Sequence, residues 1–279
     1  MLSATAGTAC LGVSNMSQEA VLYEVSDAIA TITLNRPDRL NALGQAVTLG
    51  LTKAVNDASG DREVRAVIIT GAGRAFCSGA DLADIKPYYE RGEVPDLASH
   101  LRNDYHPIIE TILEMEKPVI AAVNGIAAGA GSSLALAADL VLAAEGSAFM
   151  QAFIRIGLIP DSGANHLLPH LVGLRKALEL GMLGDPIDAA DAERLGLINR
   201  VVPSDQLMEE ARALATRLAQ GPTRALAATR KIMRFGAVRS LRDTLEYEAD
   251  LQAQLGQTAD HTEGVKAFLD KRQADFQGR

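Results

Sequence analysis

Short apolar runs rich in β-branched residues recur through the first two hundred positions, at 29–34, 66–70, 119–123, 140–143 and 197–202. Most end in turn or breaker residues, and the stretches between them carry helical spacing. Leu43, Val47, Leu51 and Val55 repeat at every fourth residue, with Asn41 standing where an N-cap is expected. Strands alternating with helices predict an α/β fold with mainly parallel pairing, because a parallel partner is reached through a crossover long enough to hold a helix.

From about Asp205 the strand signals stop, and long helical periods such as Leu207, Ala211, Leu214 and Leu218 take over. The expected organisation is therefore a leader at 1–16, an α/β core at 17–204 and a helical region at 205–279. In the last helix Asp260 stands three residues before Glu263, the spacing of a capping box. Val265, Phe268 and Leu269 form one apolar face there, which either covers the parent core or docks on a neighbouring subunit.

Composition narrows the function. With 48% hydrophobic and 22% charged residues the 279-residue chain can fill a core, and disorder is expected only at its ends. A formal charge of −8 without a basic stripe argues against nucleic acid as a partner. Two cysteines, Cys10 and Cys77, make no disulfide framework and sit at no metal-ligand spacing, which fits a reducing compartment. The residues before Met16 contain no Lys or Arg and no long apolar run, so they read as an untargeted leader with Met16 as an alternative start. Segment 119–144 is broken by Asn124, several glycines and Asp139, so it reads as buried core and not as a membrane span. His166 and His170 are four apart on a helical stretch but lack a third ligand signal, and no metal is expected.

Two segments could carry chemistry. Residues 66–82, AVIITGAGRAFCSGADL, read as a buried strand, a glycine turn and a run of small residues before Asp81. Residues 119–134, VIAAVNGIAAGAGSSL, read as another buried strand followed by the turn Gly129-Ala130-Gly131, which opens a helix whose free amides can face an anion or oxyanion. The second segment is no dinucleotide fingerprint, since Leu134 occupies the place of the third small residue. It is no serine-hydrolase elbow either, for G-x-S-x-G is absent.

Taken together, TLNRPDRLNAL at 33–43, the two segments above and GLIPDSG at 157–163 resemble the crotonase, or enoyl-CoA hydratase/isomerase, superfamily from about Val21 onward. That resemblance implies a spiral of ββα turns, a helical C-terminal trimerisation region, and a trimer or a hexamer built as a dimer of trimers, in the cytoplasm. It implies an acyl-CoA substrate, with no cofactor beyond the coenzyme A that the substrate carries. It also implies that the amides of Ala80 and Ala130 form an oxyanion hole for the thioester carbonyl. Preorganised donors of this kind contribute roughly 10²- to 10³-fold each in rate. Read without the resemblance, both turns are simply tight strand-to-helix connections.

The acid and base residues depart from the hydratase pattern. Where hydratases of the family carry two glutamates, this chain has Ser133 and Phe153; Ser133 is expected at most to orient a water, and Phe153 removes a proton-transfer group. One carboxylate, Asp161, lies among apolar residues, where burial should raise its pKa toward the range of a general base. It also fits a helix N-cap or Asx turn. The I-P-D-S-G pattern resembles the branch containing the phenylacetate-pathway acyl-CoA isomerase, which implies that Asp161 is the acid-base residue. Nucleophilic use of the aspartate on an aromatic acyl-CoA is disfavoured, because the chain has no Trp and no visible aromatic wall. The resemblance further implies CoA contacts from Arg39, Leu40, Ala42, Ser78, Asp81 and Leu82, with Gly129 in the oxyanion turn. Ile126 and Pro160 are expected at the acyl end, and Phe268 and Lys271 as a pair reaching the CoA of a neighbouring subunit. By spacing alone, Lys271 and Arg272 complement a helix C-terminus. Residues 83–115 match no motif and are expected to form a helix and loop over the acyl group.

Overall fold

The computed structural model describes residues 19–279, so the expected leader and Cys10 lie outside the described residues. Strands β1 (Val21–Ser26) and β2 (Ile29–Leu34) form an antiparallel hairpin, and helix α1 (Gln45–Gly60) returns the chain to β3 (Ala66–Gly71). From there a ββα unit repeats. β3 and β4 (Ala75–Cys77) precede α2 (Leu82–Glu90), α3 (Leu97–His100), a π-helical turn (Leu101–Tyr105) and α4 (His106–Glu114). β5 (Val119–Val123) and β6 (Ile126–Ala128) precede α5 (Ala130–Ala137), and β7 (Leu140–Ala144) and β8 (Ala148–Met150) precede α6 (Ala164–Leu183). β9 (Ile187–Asp188), α7 (Ala189–Arg194) and β10 (Arg200–Val202) close the sheets, and four helices follow: α8 (Leu207–Ala219), α9 (Thr223–Gly236), α10 (Leu241–Leu255) and α11 (Ala259–Asp270).

Each unit gives one strand to each of two sheets. The larger has the order β1-β2-β3-β5-β7-β10 and is parallel beyond the first hairpin; the smaller has the order β4-β6-β8-β9, with only β9 antiparallel. Successive side chains of a strand point to opposite faces. Val67 and Ile69 of β3 therefore meet the main core with Phe76, Phe149 and Leu134, while Ala66 and Ile68 meet Leu207, Ala211 and Ala215 of α8. A sheet covered on both faces explains why its strands read as unbroken apolar runs.

Four of the five apolar runs are β2, β3, β5 and β7, but the fifth is strand only over Arg200–Val202. Leu197 and Ile198 are buried in the turn after α7, where both amides point at the Ala192 carbonyl. Asn41 is not an N-cap. α1 starts at Gln45 behind Gly44, and Asn41 takes a left-handed conformation (φ 55°), fully buried. Its side chain accepts from the Arg36 amide at 2.8 Å and donates to the Ala72 and Ala75 carbonyls at 2.9 and 2.8 Å, stapling the 36–44 loop to the β3–β4 turn.

The capping box at α11 is also corrected. Thr258 caps the helix, its hydroxyl accepting from the His261 amide, and the two acidic residues hold the C-terminal tail instead. Asp260 accepts from the amides of Gln277 and Gly278 at 2.7 and 2.8 Å, and Glu263 pairs with Arg272 at 2.6 Å. Val265, Phe268 and Leu269 remain exposed, so their face does not cover the core of its own chain. α9 is anchored by Asp139, which accepts from the Val119 amide and from Arg234, both at 2.8 Å, and stands 2.6 Å from Arg230 Nε. Among the described residues no helix is long and apolar enough to cross a membrane.

Candidate active site

Two backbone turns are pressed together at the carboxyl ends of β4 and β6. After β4 the chain runs through Gly79 (φ 93°) and pairs with Leu43, whose amide donates to the Gly79 carbonyl at 2.7 Å and whose carbonyl accepts from the Asp81 amide at 3.4 Å. Neighbouring peptide groups in an extended segment point to opposite sides, so the Ala80 N–H faces away from Leu43. After β6, Gly129 (φ 52°) leads into α5, and Ala130 as its first residue has no intrahelical acceptor for its N–H. The turns leave no room for side chains between them. A methyl on Gly79 would lie 2.8 Å from the Ala128 carbonyl oxygen and 3.5 Å from the Ala130 nitrogen, and one on Gly131 would collide with the Cys77 carbonyl.

Ala80 and Ala130 line one cavity of about 780 Å³, together with Asp161. Its walls are mostly apolar: Leu82 and Ile85 from α2, Leu97 and Leu101 from the following helices, and Ile156, Leu158 and Ile159 from the loop before α6. Tyr89, Tyr105 and Phe153 also line it. The cavity therefore does have aromatic walls, contrary to the sequence reading. The three rings come from α2, the π-helical turn and a 3₁₀ turn at Ala152–Ile156, so no local pattern announces them.

Asp161 sits in a loop shaped by residues in left-handed conformations, Gly157, Ser162 and Gly163. It is not the cap of α6, whose N-cap is Gly163; only its backbone carbonyl accepts from Ala164, and its carboxylate is left to the cavity. Burial pushes its pKa above the ordinary carboxylate value, against the opposing pull of the Ser162 hydroxyl, which donates to it at 2.8 Å, and of His106. Ser133 does not reach the cavity. It is fully buried, and its hydroxyl donates to the Asp161 carbonyl at 2.9 Å, so it positions the loop and is not free to orient water. Cys77 is also buried, which pushes its thiol up to about 12 and leaves it unreactive.

The remaining sequence-predicted residues divide. Asp81 and Leu82 line the cavity, and Asp81 caps α2 by accepting from the Ala83 amide at 3.0 Å. Arg39, Leu40 and Ala42 form the turn beside it: the Leu40 carbonyl accepts from the Ser78 amide at 3.0 Å, and the Arg39 guanidinium is exposed. A methyl on Gly129 would lie 3.7 Å from the Phe153 ring, in ordinary contact. Ile126 and Pro160 do not line this cavity. Ile126 pairs within the small sheet, and Pro160 packs toward Gly181 of α6. Phe268 borders a separate hollow of about 410 Å³ among the C-terminal helices, and Lys271 ends α11 in a left-handed conformation. Tyr105, 4% exposed, went unnoticed in the sequence because it lies in the stretch that matches no motif. That stretch is a succession of short helices. His166 and His170 lie ring to ring, 4.6 Å between centroids, and among the described residues no three potential ligands gather around a metal position.

This geometry agrees with the comparisons to known proteins. The sequence profile "Enoyl-CoA hydratase/isomerase" matches residues 24–279. A Rhodobacter capsulatus protein described as "Probable enoyl-CoA hydratase" is 47% identical over 264 residues, covering 95% of this chain and 100% of its own. The 1,2-epoxyphenylacetyl-CoA isomerase of Escherichia coli is 39% identical over 261 residues, covering 94% and 99%. The crystal structure of enoyl-CoA hydratase from Bacillus anthracis superposes with a TM-score of 0.87 at 31% identity, covering 93% and 100%. With nearly the whole length matched in sequence and in fold, the chain belongs to the enoyl-CoA hydratase/isomerase family of the crotonase superfamily.

Proposed function

We propose that the protein is an acyl-CoA isomerase that shifts a double bond, or opens or rearranges a strained ring equivalent, with Asp161 as its single acid-base residue. The observation that carries this reading is that one partly buried carboxylate, Asp161, shares a mostly apolar cavity with Ala80 and Ala130. The amides of Ala80 and Ala130 hold the thioester oxygen as negative charge develops on it. Asp161 removes a proton from the α-carbon of a 3-enoyl thioester, and the electron pair passes into the conjugated enolate. The same carboxyl returns the proton at the γ-carbon, leaving the 2-enoyl product. The raised pKa suits both halves of the cycle, since the group must accept the proton and then release it.

In this reading Arg39, Leu40, Ala42, Ser78, Asp81 and Leu82 flank the CoA moiety, and Phe268 and Lys271 serve the CoA site of a neighbouring subunit in a cytoplasmic trimer or hexamer. The similarity to the Escherichia coli isomerase supports this choice, and the similarity to proteins described as hydratases supports the alternative of hydration. Against hydration, Ser133 and Phe153 stand where the two glutamates are expected, and neither transfers a proton at neutral pH.

The test follows absorbance of the conjugated enoyl thioester with 3-hexenoyl-CoA and, separately, with crotonyl-CoA. A rise with the first that Asp161→Asn abolishes, and little change with the second, is the expected result. Rapid loss of absorbance with crotonyl-CoA would overturn isomerisation in favour of hydration, and no turnover of either acyl-CoA or of an epoxide analogue would favour a binding role.

A further inference from the structure

Tyr105 touches the cavity with its ring but spends its hydroxyl elsewhere. The group is buried, and it donates at 3.0 Å to the carbonyl of Leu43. That carbonyl is half of the bridge that holds the Ala80 segment: it also accepts, at a longer 3.4 Å, from the Asp81 amide, while the Leu43 amide donates to the Gly79 carbonyl at 2.7 Å. The peptide unit that follows Gly79 is thus gripped on one side by Leu43, and Leu43 is gripped from behind by Tyr105. Asn41 staples the same loop two residues upstream, but among the described residues it is Tyr105 that gives a side-chain hydrogen bond to the Leu43 carbonyl itself. Leu43 precedes α1, whose N-cap Gly44 has no side chain, and the turn before it runs through Leu40 and Asn41 in left-handed conformations. The π-helical turn of residues 101–105 ends on Tyr105 immediately before α4, and such turns recur at functional positions.

We infer that Tyr105 is a positioning residue for the Ala80 amide, acting through the Leu43 carbonyl to fix where that N–H points. This inference rests on the oxyanion role of Ala80 given above. Removing the hydroxyl leaves the ring and the cavity wall in place while freeing the bridge to shift. A loosened bridge degrades an interaction that strengthens as negative charge develops on the oxygen, so it lowers kcat more than it raises KM.

The experiment compares wild type with Tyr105→Phe, first by the absorption spectrum of bound cinnamoyl-CoA, whose thioester chromophore shifts to longer wavelength when its carbonyl oxygen is polarised. The wild type should show a red shift, and Tyr105→Phe should show a smaller one at a dissociation constant within about threefold, with kcat for 3-hexenoyl-CoA lower by about ten- to a hundredfold, the scale of a sub-ångström misplacement. 4-Aminophenylalanine at position 105, which returns an N–H donor, should restore much of both. An undiminished red shift and kcat in Tyr105→Phe would overturn the positioning role while leaving the oxyanion reading intact. Absence of a red shift in the wild type would overturn the oxyanion reading and the inference with it. Should Tyr105→Phe not fold, Tyr105→Met carries the same comparison, and failure of both to fold would assign Tyr105 to the core and refute the inference.

Discussion

Alanine in place of Gly79 attacks the site at its tightest contact. The added methyl would stand 2.8 Å from the Ala128 carbonyl oxygen, and Gly79 adopts φ 93°, where an L side chain is strained. Ordinary contact begins at 3.4 Å, so the two turns must part by about 0.6 Å, and the obstacle is backbone that has no rotamer to escape into. Left-handed strain adds about 1–3 kcal/mol. Because the parted turns carry the Ala80 and Ala130 amides, the same shift separates the two donors. Misplacement by about an ångström costs on the order of 10²-fold, so a fall in kcat of about ten- to a hundredfold is expected, with KM changed far less. Steady-state kinetics with 3-hexenoyl-CoA and thermal melting of both proteins provide the readout, with Gly60→Ala as a control whose methyl meets nothing within 4 Å. A folded Gly79→Ala protein with wild-type kcat would refute the claim that these turns set the donor geometry.

Under the proposed mechanism Asp161→Asn should lose turnover of 3-hexenoyl-CoA yet gain stability at neutral pH. Its carboxyl titrates above the ordinary value in the folded chain, so between the unfolded and folded pKa values the native state binds more protons and stability falls as pH rises. The advantage of the asparagine variant in melting temperature should therefore be full above the raised pKa and vanish below the ordinary carboxylate range; a pH-independent difference would contradict this. The same raised group predicts that kcat/KM falls on the acid side as Asp161 becomes protonated, a limb absent from substrate binding. Asn41→Ala removes three hydrogen bonds made by a buried side chain from a left-handed residue and should destabilise by about 2–4 kcal/mol. A melting temperature within a degree of wild type would show that the loop does not depend on this side chain.

What the sequence reveals follows how much apolar surface each segment buries. β2, β3, β5 and β7 lie inside a sheet covered on both faces, and their long apolar runs are visible without any fold in mind. Strands β4, β6, β8 and β9 have only two or three residues each, too few to display a period, although β4 and β6 carry the two turns that border the cavity. Asn41 and Asp260 were misread for a related reason. Each has the composition of a helix cap, but its partners, Ala72 and Ala75 for one and Gln277 and Gly278 for the other, are brought near only by the tertiary fold. Ala80, Ala130 and Asp161 are singled out by the family resemblance of the glycine turns and the I-P-D-S-G pattern, and all three line one cavity. Tyr105, Tyr89 and the other walls are not, because a cavity wall requires only bulk facing inward, and many sequences satisfy that.

The amides of Ala80 and Ala130 belong to the main chain, and no codon specifies them. Any side chain other than proline at either position leaves the N–H in place, so in the proposed mechanism the donors are lost only by moving the backbone, which Gly79, Gly131 and the Leu43 bridge hold close. Asp161, by contrast, is open to direct replacement. In the proposed mechanism the electrostatic half therefore rests on a few backbone-shaping positions such as Gly79 and Gly131, while the acid-base half rests on one side chain, so that the acid-base group can change with the donors left in place.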